Sequence, residues 1–240
     1  MNENRIPKII HYCWLSGDPF PEKIAKCIES WKRVLPDYKI ILWDTNRFDV
    51  NSNLWVKQAF ESKRYAFAAD YIRLYAVFTY GGIYLDSDVE VIKSFNTLLH
   101  LPYFVGRESI GDRIEVAAFG AEKGTAWIGK CLEYYKDRPF INKEGKMDTR
   151  VMPDVVHEVL SKFCSINLIS DISEFKNDNS LLNEFPNDWF CANIKESPDK
   201  DPKYKITGNT YCVHHFANSW IMAPLWKRKL HRFISKILKR

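Results

Sequence analysis

The chain has 240 residues, 46% of them apolar, 27% charged and 15% aromatic, which is enough for an ordinary globular core without disulfide or metal staples. That composition excludes collagen, coiled coil and wholesale disorder. Lys and Arg total 35 against 30 Asp and Glu, yet residues 225–240 hold seven of the basic residues and none of the acidic ones. The body is therefore slightly acidic, and nucleic acid is excluded as its general partner.

In chain order, Lys8 to Trp14 is apolar and rich in β-formers, and predicts a strand. Pro21 to Leu35 predicts a helix, with Ile24, Cys27, Ile28, Trp31, Val34 and Leu35 on one face. Tyr38 to Trp43 is a second strand, and a β-α-β unit of this length implies parallel pairing. Leu54 to Tyr80 reads as helix in one or two pieces, stopped by Gly81-Gly82 before a short strand, Ile83 to Leu85. Further strands are expected at Tyr103 to Val105, Ile114 to Phe119 and Ile166 to Ile169, with helices at Thr125 to Tyr135 and Thr149 to Phe163. From Asp171 the periodicity weakens, and Lys195 to Lys205 is a charged, proline-broken loop. The expected architecture is α/β, with a mainly parallel central sheet flanked by helices and an irregular C-terminal half. It forms a single domain over 1–224 and a terminal helix over 225–240.

Six cysteines are spread along the chain without a CxxC pair, so they are read as thiols in a reducing compartment. The polar N-terminus lacks a secretory signal, and the most apolar run, Tyr65 to Tyr80, carries Asp70 and Arg73 and is too short to span a membrane. A cytoplasmic protein is expected. In 225–240 the residues Trp226, Leu230, Phe233, Ile234, Ile237 and Leu238 form an apolar stripe opposite the basic residues. Such a basic amphipathic helix suits adsorption to an anionic membrane, which would make the protein peripheral on the inner face. Docking on the domain is the other reading.

The densest chemistry is Asp70-Tyr-Ile-Arg73 followed by Gly81-Gly82-Ile-Tyr84-Leu85-Asp86-Ser87-Asp88. Carboxylates at a strand end are placed where open α/β sheets bind ligands. Asp86 and Asp88 can turn toward one point and share a hard cation, Mg²⁺ or Mn²⁺. Asp70 and Arg73 share a helix face that packing tends to bury, so they form either an internal ion pair or a lining that hydrogen-bonds a polyhydroxylated ligand. His214-His215-Phe-Ala-Asn218-Ser219-Trp220 offers imidazole and amide ligands, and Trp14 at a strand end offers an indole face for a nucleobase.

Together IPKIIHYCW, SWKRVLPDYKIILWD, AFAADYIRLYAVFTYGGIYLDSDVEV and TYCVHHFANSW resemble glycosyltransferase family 32, the DXD-containing sugar transferases of capsule and lipopolysaccharide synthesis and of yeast mannosylation. The glucosylating clostridial toxins are similar in the same blocks. The resemblance implies a GT-A, Rossmann-like fold and a UDP- or GDP-sugar donor. It also implies a divalent cation and retaining transfer of a hexose to a glycan or lipid-linked acceptor. It assigns donor contacts to Trp14, Asp70, Arg73, Tyr84, Asp86 and Trp220, and metal contacts to Asp86, Asp88, His215 and Asn218. Asp86, Asp88, Arg73 and Trp220 would carry catalysis, with His214 an alternative to His215. Two other readings stay open. A haloacid dehalogenase-like phosphatase would use Asp86 and Asp88, although no GDxxxD follows, and a non-catalytic sugar-nucleotide-binding module would bind donor without consuming it.

Overall fold

A computed structural model describes residues 4–109, 113–194, 203–204 and 206–217. The elements run β1 (Ile9–Cys13), α1 (Glu22–Val34), β2 (Lys39–Trp43), α2 (Leu54–Glu61), α3 (Tyr65–Tyr80), β3 (Gly82–Leu85), β4 (Val89–Val91), β5 (Tyr103–Phe104) and β6 (Ala118–Ala121). They continue with α4 (Ala126–Tyr134), α5 (Met152–Leu160), β7 (Ser165–Leu168), β8 (Leu181–Glu184), α6 (Asn187–Phe190), β9 (Asn193–Ile194), β10 (Lys203–Tyr204) and β11 (Cys212–His214). Five strands form the central sheet in the order β2-β1-β3-β6-β5. β1 pairs parallel with both β2 and β3, while β6 runs antiparallel to β3 and β5, so four strands point one way and one opposes them. This is the mixed, parallel-rich α/β architecture expected above.

Strand alternation divides the interior into two cores. On β1, Ile10 and Tyr12 join Ile83 and Leu85 of β3 and pack against Ile24, Ile28 and Trp31 of α1. Cys13 and Tyr84 face the opposite way and meet α3, α4 and α5 through residues such as Ile72, Ile128 and Val156. Because successive strand side chains alternate faces, the polar group two residues beyond Tyr84 is directed to the α3 side. The α3 helix is buried on nearly all sides, which explains its uniformly apolar sequence around Asp70 and Arg73.

The helical stretch over 54–80 forms in two pieces, one of the two expected forms, breaking after Glu61 where Lys63 takes a left-handed φ of 57° and Arg64 then precedes α3. Other elements differ from the sequence reading. The expected strand over 114–119 begins only at Ala118, because the residues before it give their backbone groups to other partners. The Val116 carbonyl accepts from Arg73 at 2.9 Å, and the Ala117 N–H donates to the Glu115 carboxylate at 2.7 Å. In the weakly periodic C-terminal part, β11 pairs antiparallel with β4 and sets His214 opposite Val89. None of the six cysteines is paired, and five are buried. Among the described residues, no helix is long and apolar enough to cross a membrane. Most of the loop at 195–205 and all of 218–240, with Asn218, Trp220 and the basic stripe, lie outside the described residues.

The α3–β3 junction is locked by two glycines and a buried histidine. Gly81 and Gly82 both have positive φ, 66° and 111°, and a Cβ on Gly82 would lie 2.7 Å from the Ile9 carbonyl oxygen. Trp43 Nε1 donates to His11 Nδ1 at 3.1 Å, so the other ring nitrogen carries the proton and donates to the Gly81 carbonyl at 2.9 Å. Burial, chiefly, holds His11 down to about 4 from its ordinary 6.5, so the folded protein keeps it neutral. The unfolded chain takes up that proton as pH falls through 6.5, whereas the folded chain resists until about 4. The contribution is therefore fully present above 6.5 and is lost on acidification toward 4. We expect the urea midpoint to fall over that range by the equivalent of about 3 kcal/mol, and His11→Asn to flatten this component of the pH profile. Gly82→Ala should destabilise by more than about 1 kcal/mol in the same assay.

Candidate active site

The carboxyl end of β3 opens into a cavity of about 750 Å³. Its floor is built around Arg73. Arg73 is 6% exposed, and its guanidinium donates through Nη1 to the Val116 carbonyl at 2.9 Å and to Asp86 Oδ2 at 3.2 Å, and places Nη2 3.2 Å from Asp70 Oδ1. It also lies 4.8 Å from the centre of the Tyr84 ring, and the Tyr84 hydroxyl donates to Asp86 Oδ1 at 2.9 Å. Asp70 and Arg73, three apart on α3, and Tyr84 and Asp86, two apart leaving β3, are thus one network. Each pair shares a face for the reason its own element dictates.

Asp88 is held from the other direction. Its backbone carbonyl accepts from His215 N–H at 3.1 Å, and its Oδ2 accepts from Ala217 N–H at 2.7 Å. Oδ1 lies 3.6 Å from His214 Nε2, and the ligand atoms of Asp86, Asp88 and His214 all fall within 4.8 Å of one another. The imidazole beside the acidic pair is therefore His214. His215 instead puts Nε2 3.0 Å from Glu90 Oε2, because the residue after the end of β11 turns to the other side of the β4 ladder.

Behind His214 stands Glu115, 2% exposed, which the sequence reading did not single out. Its signal was present as a lone carboxylate inside the apolar run Ile114 to Ala118. Glu108 pairs with Arg113, which also reaches Asp154 at 3.0 Å, and these groups close the far wall. Trp14 stands at the end of β1 and lines the cavity. Its Nε1 donates to the Asp18 carbonyl at 2.7 Å, and Phe20 meets it edge-on at 5.0 Å.

The charges in this floor are strongly perturbed. Burial pushes the Asp70 carboxyl up to about 7 against the pull of Arg73, with Asp86 adding to the rise. Burial also raises Asp86, opposed by Arg73 and reinforced by Asp88. Burial alone would lower His214, but Glu115, Asp88 and Asp86 together raise it to about 9. Burial would raise Glu115, yet the His214 charge and the hydrogen bonds it accepts bring it below the usual range. A cleft that concentrates shifted groups around two carboxylates and an imidazole can hold a cation and polarise an anionic leaving group.

A family profile described as "Glycosyltransferase sugar-binding region containing DXD motif" matches residues 21–105. This segment is thus similar to the DXD-containing sugar-binding region of glycosyltransferases. This region supplies α1, α3, β3 and the three aspartates Asp70, Asp86 and Asp88, whereas Glu115 and His214 lie beyond it. Inositol phosphoceramide mannosyltransferase 3 of Schizosaccharomyces pombe is 36% identical over 108 residues, covering 43% of this chain and 30% of the relative. Mannosyl phosphorylinositol ceramide synthase CSH1 of Saccharomyces cerevisiae is 34% identical over 108 residues, covering 43% and 28%. The match thus spans less than a third of these relatives' length. Among solved structures, PaToxG glycosyltransferase is 20% identical with a TM-score of 0.48, covering 65% of this chain and 68% of that one.

Removing the Arg73 charge leaves Asp70 and Asp86 without the cation they share at the cavity floor. Arg73→Met is expected to lower the unfolding free energy by about 3–5 kcal/mol, read by urea denaturation.

Proposed function

We propose that the protein is a metal-dependent, retaining hexosyltransferase of GT-A type, moving a sugar from a nucleotide-sugar donor to a glycan or lipid-linked acceptor. The observation that carries this reading is the convergence of Asp86, Asp88 and His214 at the end of β3, inside the cavity that Asp70, Arg73 and Trp14 also line. The matched DXD region supports it. The names of both relatives put mannosyl donors and an inositol-phosphate-bearing ceramide first among the compounds to try. Bacterial surface polysaccharide precursors follow, as acceptors suggested by the family resemblance.

The donor set suits Mg²⁺ or Mn²⁺. Two carboxylates and one imidazole within 4.8 Å form an oxygen-rich group with one borderline ligand, and Asp88 keeps Oδ1 toward His214 while Oδ2 is occupied by Ala217. Asp86, Asp88 and His214 would hold the ion, with His214 replacing His215 in the set inferred from the sequence. Bound there, a divalent cation neutralises the charge that develops on a departing nucleoside diphosphate.

The chain's own groups orient the donor. Asp70 accepts hydrogen bonds from sugar hydroxyls, and Arg73 fixes Asp70 and Asp86 while directing its charge into the floor. Tyr84 holds the Asp86 carboxylate, and Trp14 stacks on the base at the cavity edge. Asp70 and Asp86 are both engaged with Arg73, which favours front-face attack by the acceptor hydroxyl over a covalent route through either carboxylate. The basic stripe of 225–240 would hold the enzyme on the cytoplasmic face of an anionic membrane.

Incubating a nucleotide-sugar panel with Mn²⁺ should show slow release of nucleoside diphosphate from one donor, abolished by EDTA. Folded Asp88→Ala should lose at least about 10²- to 10³-fold of that rate. Near-wild-type transfer by the variant would defeat the metal assignment. A glycosyl adduct seen by intact mass would defeat front-face attack. Phosphate release from an aryl phosphate in place of donor turnover would favour the phosphatase reading.

A further inference from the structure

We infer that Glu115 is a positioning residue for His214, fixing its ring so that Nε2 is presented to the Asp86 and Asp88 pair. The inference rests on the proposal that this pair holds a divalent cation. A carboxylate in an apolar run that is 2% exposed is costly to bury, and neither core needs a charge at that position. Its orientation is nevertheless fixed. Oε1 accepts from Ala117 N–H at 2.7 Å and lies 3.6 Å from His214 Nδ1.

On the opposite side of the ring, Nε2 is 3.6 Å from Asp88 Oδ1. The Phe216 ring stacks on the imidazole with centroids 4.0 Å apart and planes 24° from parallel. Cys191 lies beside the same carboxylate and the same imidazole, all three offering atoms within 4.8 Å of one another. The two ring nitrogens therefore face different chemistry. A carboxylate at Nδ1 keeps the proton on that nitrogen when the ring is neutral, which leaves the Nε2 lone pair for a cation. Glu115 comes from the segment just before β6, and His214 from the far end of the chain. Their meeting therefore depends on β11 pairing with β4.

The test uses Mn²⁺ alone, titrated calorimetrically into full-length wild type, Glu115→Gln, His214→Ala, Asp88→Ala and the Glu115→Gln/His214→Ala double variant, each checked for folding by circular dichroism. Glu115→Gln should weaken Mn²⁺ binding about ten- to a hundred-fold, and His214→Ala at least as much. The double variant should be no weaker than His214→Ala, because Glu115 acts through that ring. Electron spin echo modulation of bound Mn²⁺ should show a coordinated imidazole nitrogen in wild type and lose it in His214→Ala. Wild-type affinity in Glu115→Gln alongside weak binding by Asp88→Ala would overturn the inference and leave the metal site standing. A further loss in the double variant as large as that in Glu115→Gln alone would also overturn it, as a merely structural effect. Absence of saturable Mn²⁺ binding in wild type, or wild-type affinity in Asp88→Ala, would overturn both. Should Glu115→Gln not fold, Glu115→Asp keeps the charge but retracts it by one methylene. It should show intermediate weakening, and unchanged affinity there would count against the inference.

Discussion

One buried guanidinium organises the functional end of this molecule. Arg73 donates to a main-chain carbonyl at Val116, faces Asp70 on its own helix and Asp86 beyond β3, and lies over the Tyr84 ring. These contacts tie α3 to the end of β3 and to the segment leading into β6, which the Asp86 N–H already joins by donating to the Ala117 carbonyl at 2.7 Å. A buried ion network is weak evidence for net stability, since desolvation offsets much of the Coulombic attraction. Its effect here is geometric. It permits one register between helix and strand, and in that register the two aspartates leave the sheet toward the cavity.

The two aspartates are held by different parts of the protein, and this gives them different chemistry. Asp86 is engaged on both oxygens, by Tyr84 and by Arg73, so its position follows the α3 face of the sheet. Asp88 is held by backbone N–H groups from 215–217, and its second oxygen is turned toward His214. One carboxylate is therefore a fixture of the central sheet, and the other of the small β4–β11 ladder. The candidate metal centre lies where these two systems meet, so it depends on the C-terminal strand being docked. Glu115 completes the arrangement from behind, which makes the segment before β6 a supporting wall more than a strand.

The junction of α3 and β3 shows how local backbone chemistry supports that geometry. Two successive glycines with positive φ let the chain reverse against the Ile9 carbonyl, and the neutral His11 bridges the Trp43 indole and the Gly81 carbonyl. β2, β1 and the helix end are thereby joined on the side away from the cavity. Shifting Gly82 from Ile9 would displace β3, and with it the starting point of the DXD turn.

The sequence by itself determined the β-α-β opening, the buried α3 helix, the glycine stop and the acidic pair at a strand end. It did so because helix and strand periodicity, positive-φ glycines and residue spacing act over a few neighbours. Asp70 with Arg73, and Asp86 with Asp88, were legible as pairs for the same reason, whereas the bond from Tyr84 to Asp86 emerged only in the structure. The sequence did not determine which histidine stands beside Asp88, the late start of β6, or any role for Glu115. Those were decided by tertiary contacts: the register of β11 on β4 chooses His214 over its neighbour, and Arg73 and Glu115 draw backbone groups of 116–117 out of the ladder. A one-residue change of register exchanges the faces of adjacent side chains, and no local preference in His214-His215 distinguishes the two outcomes.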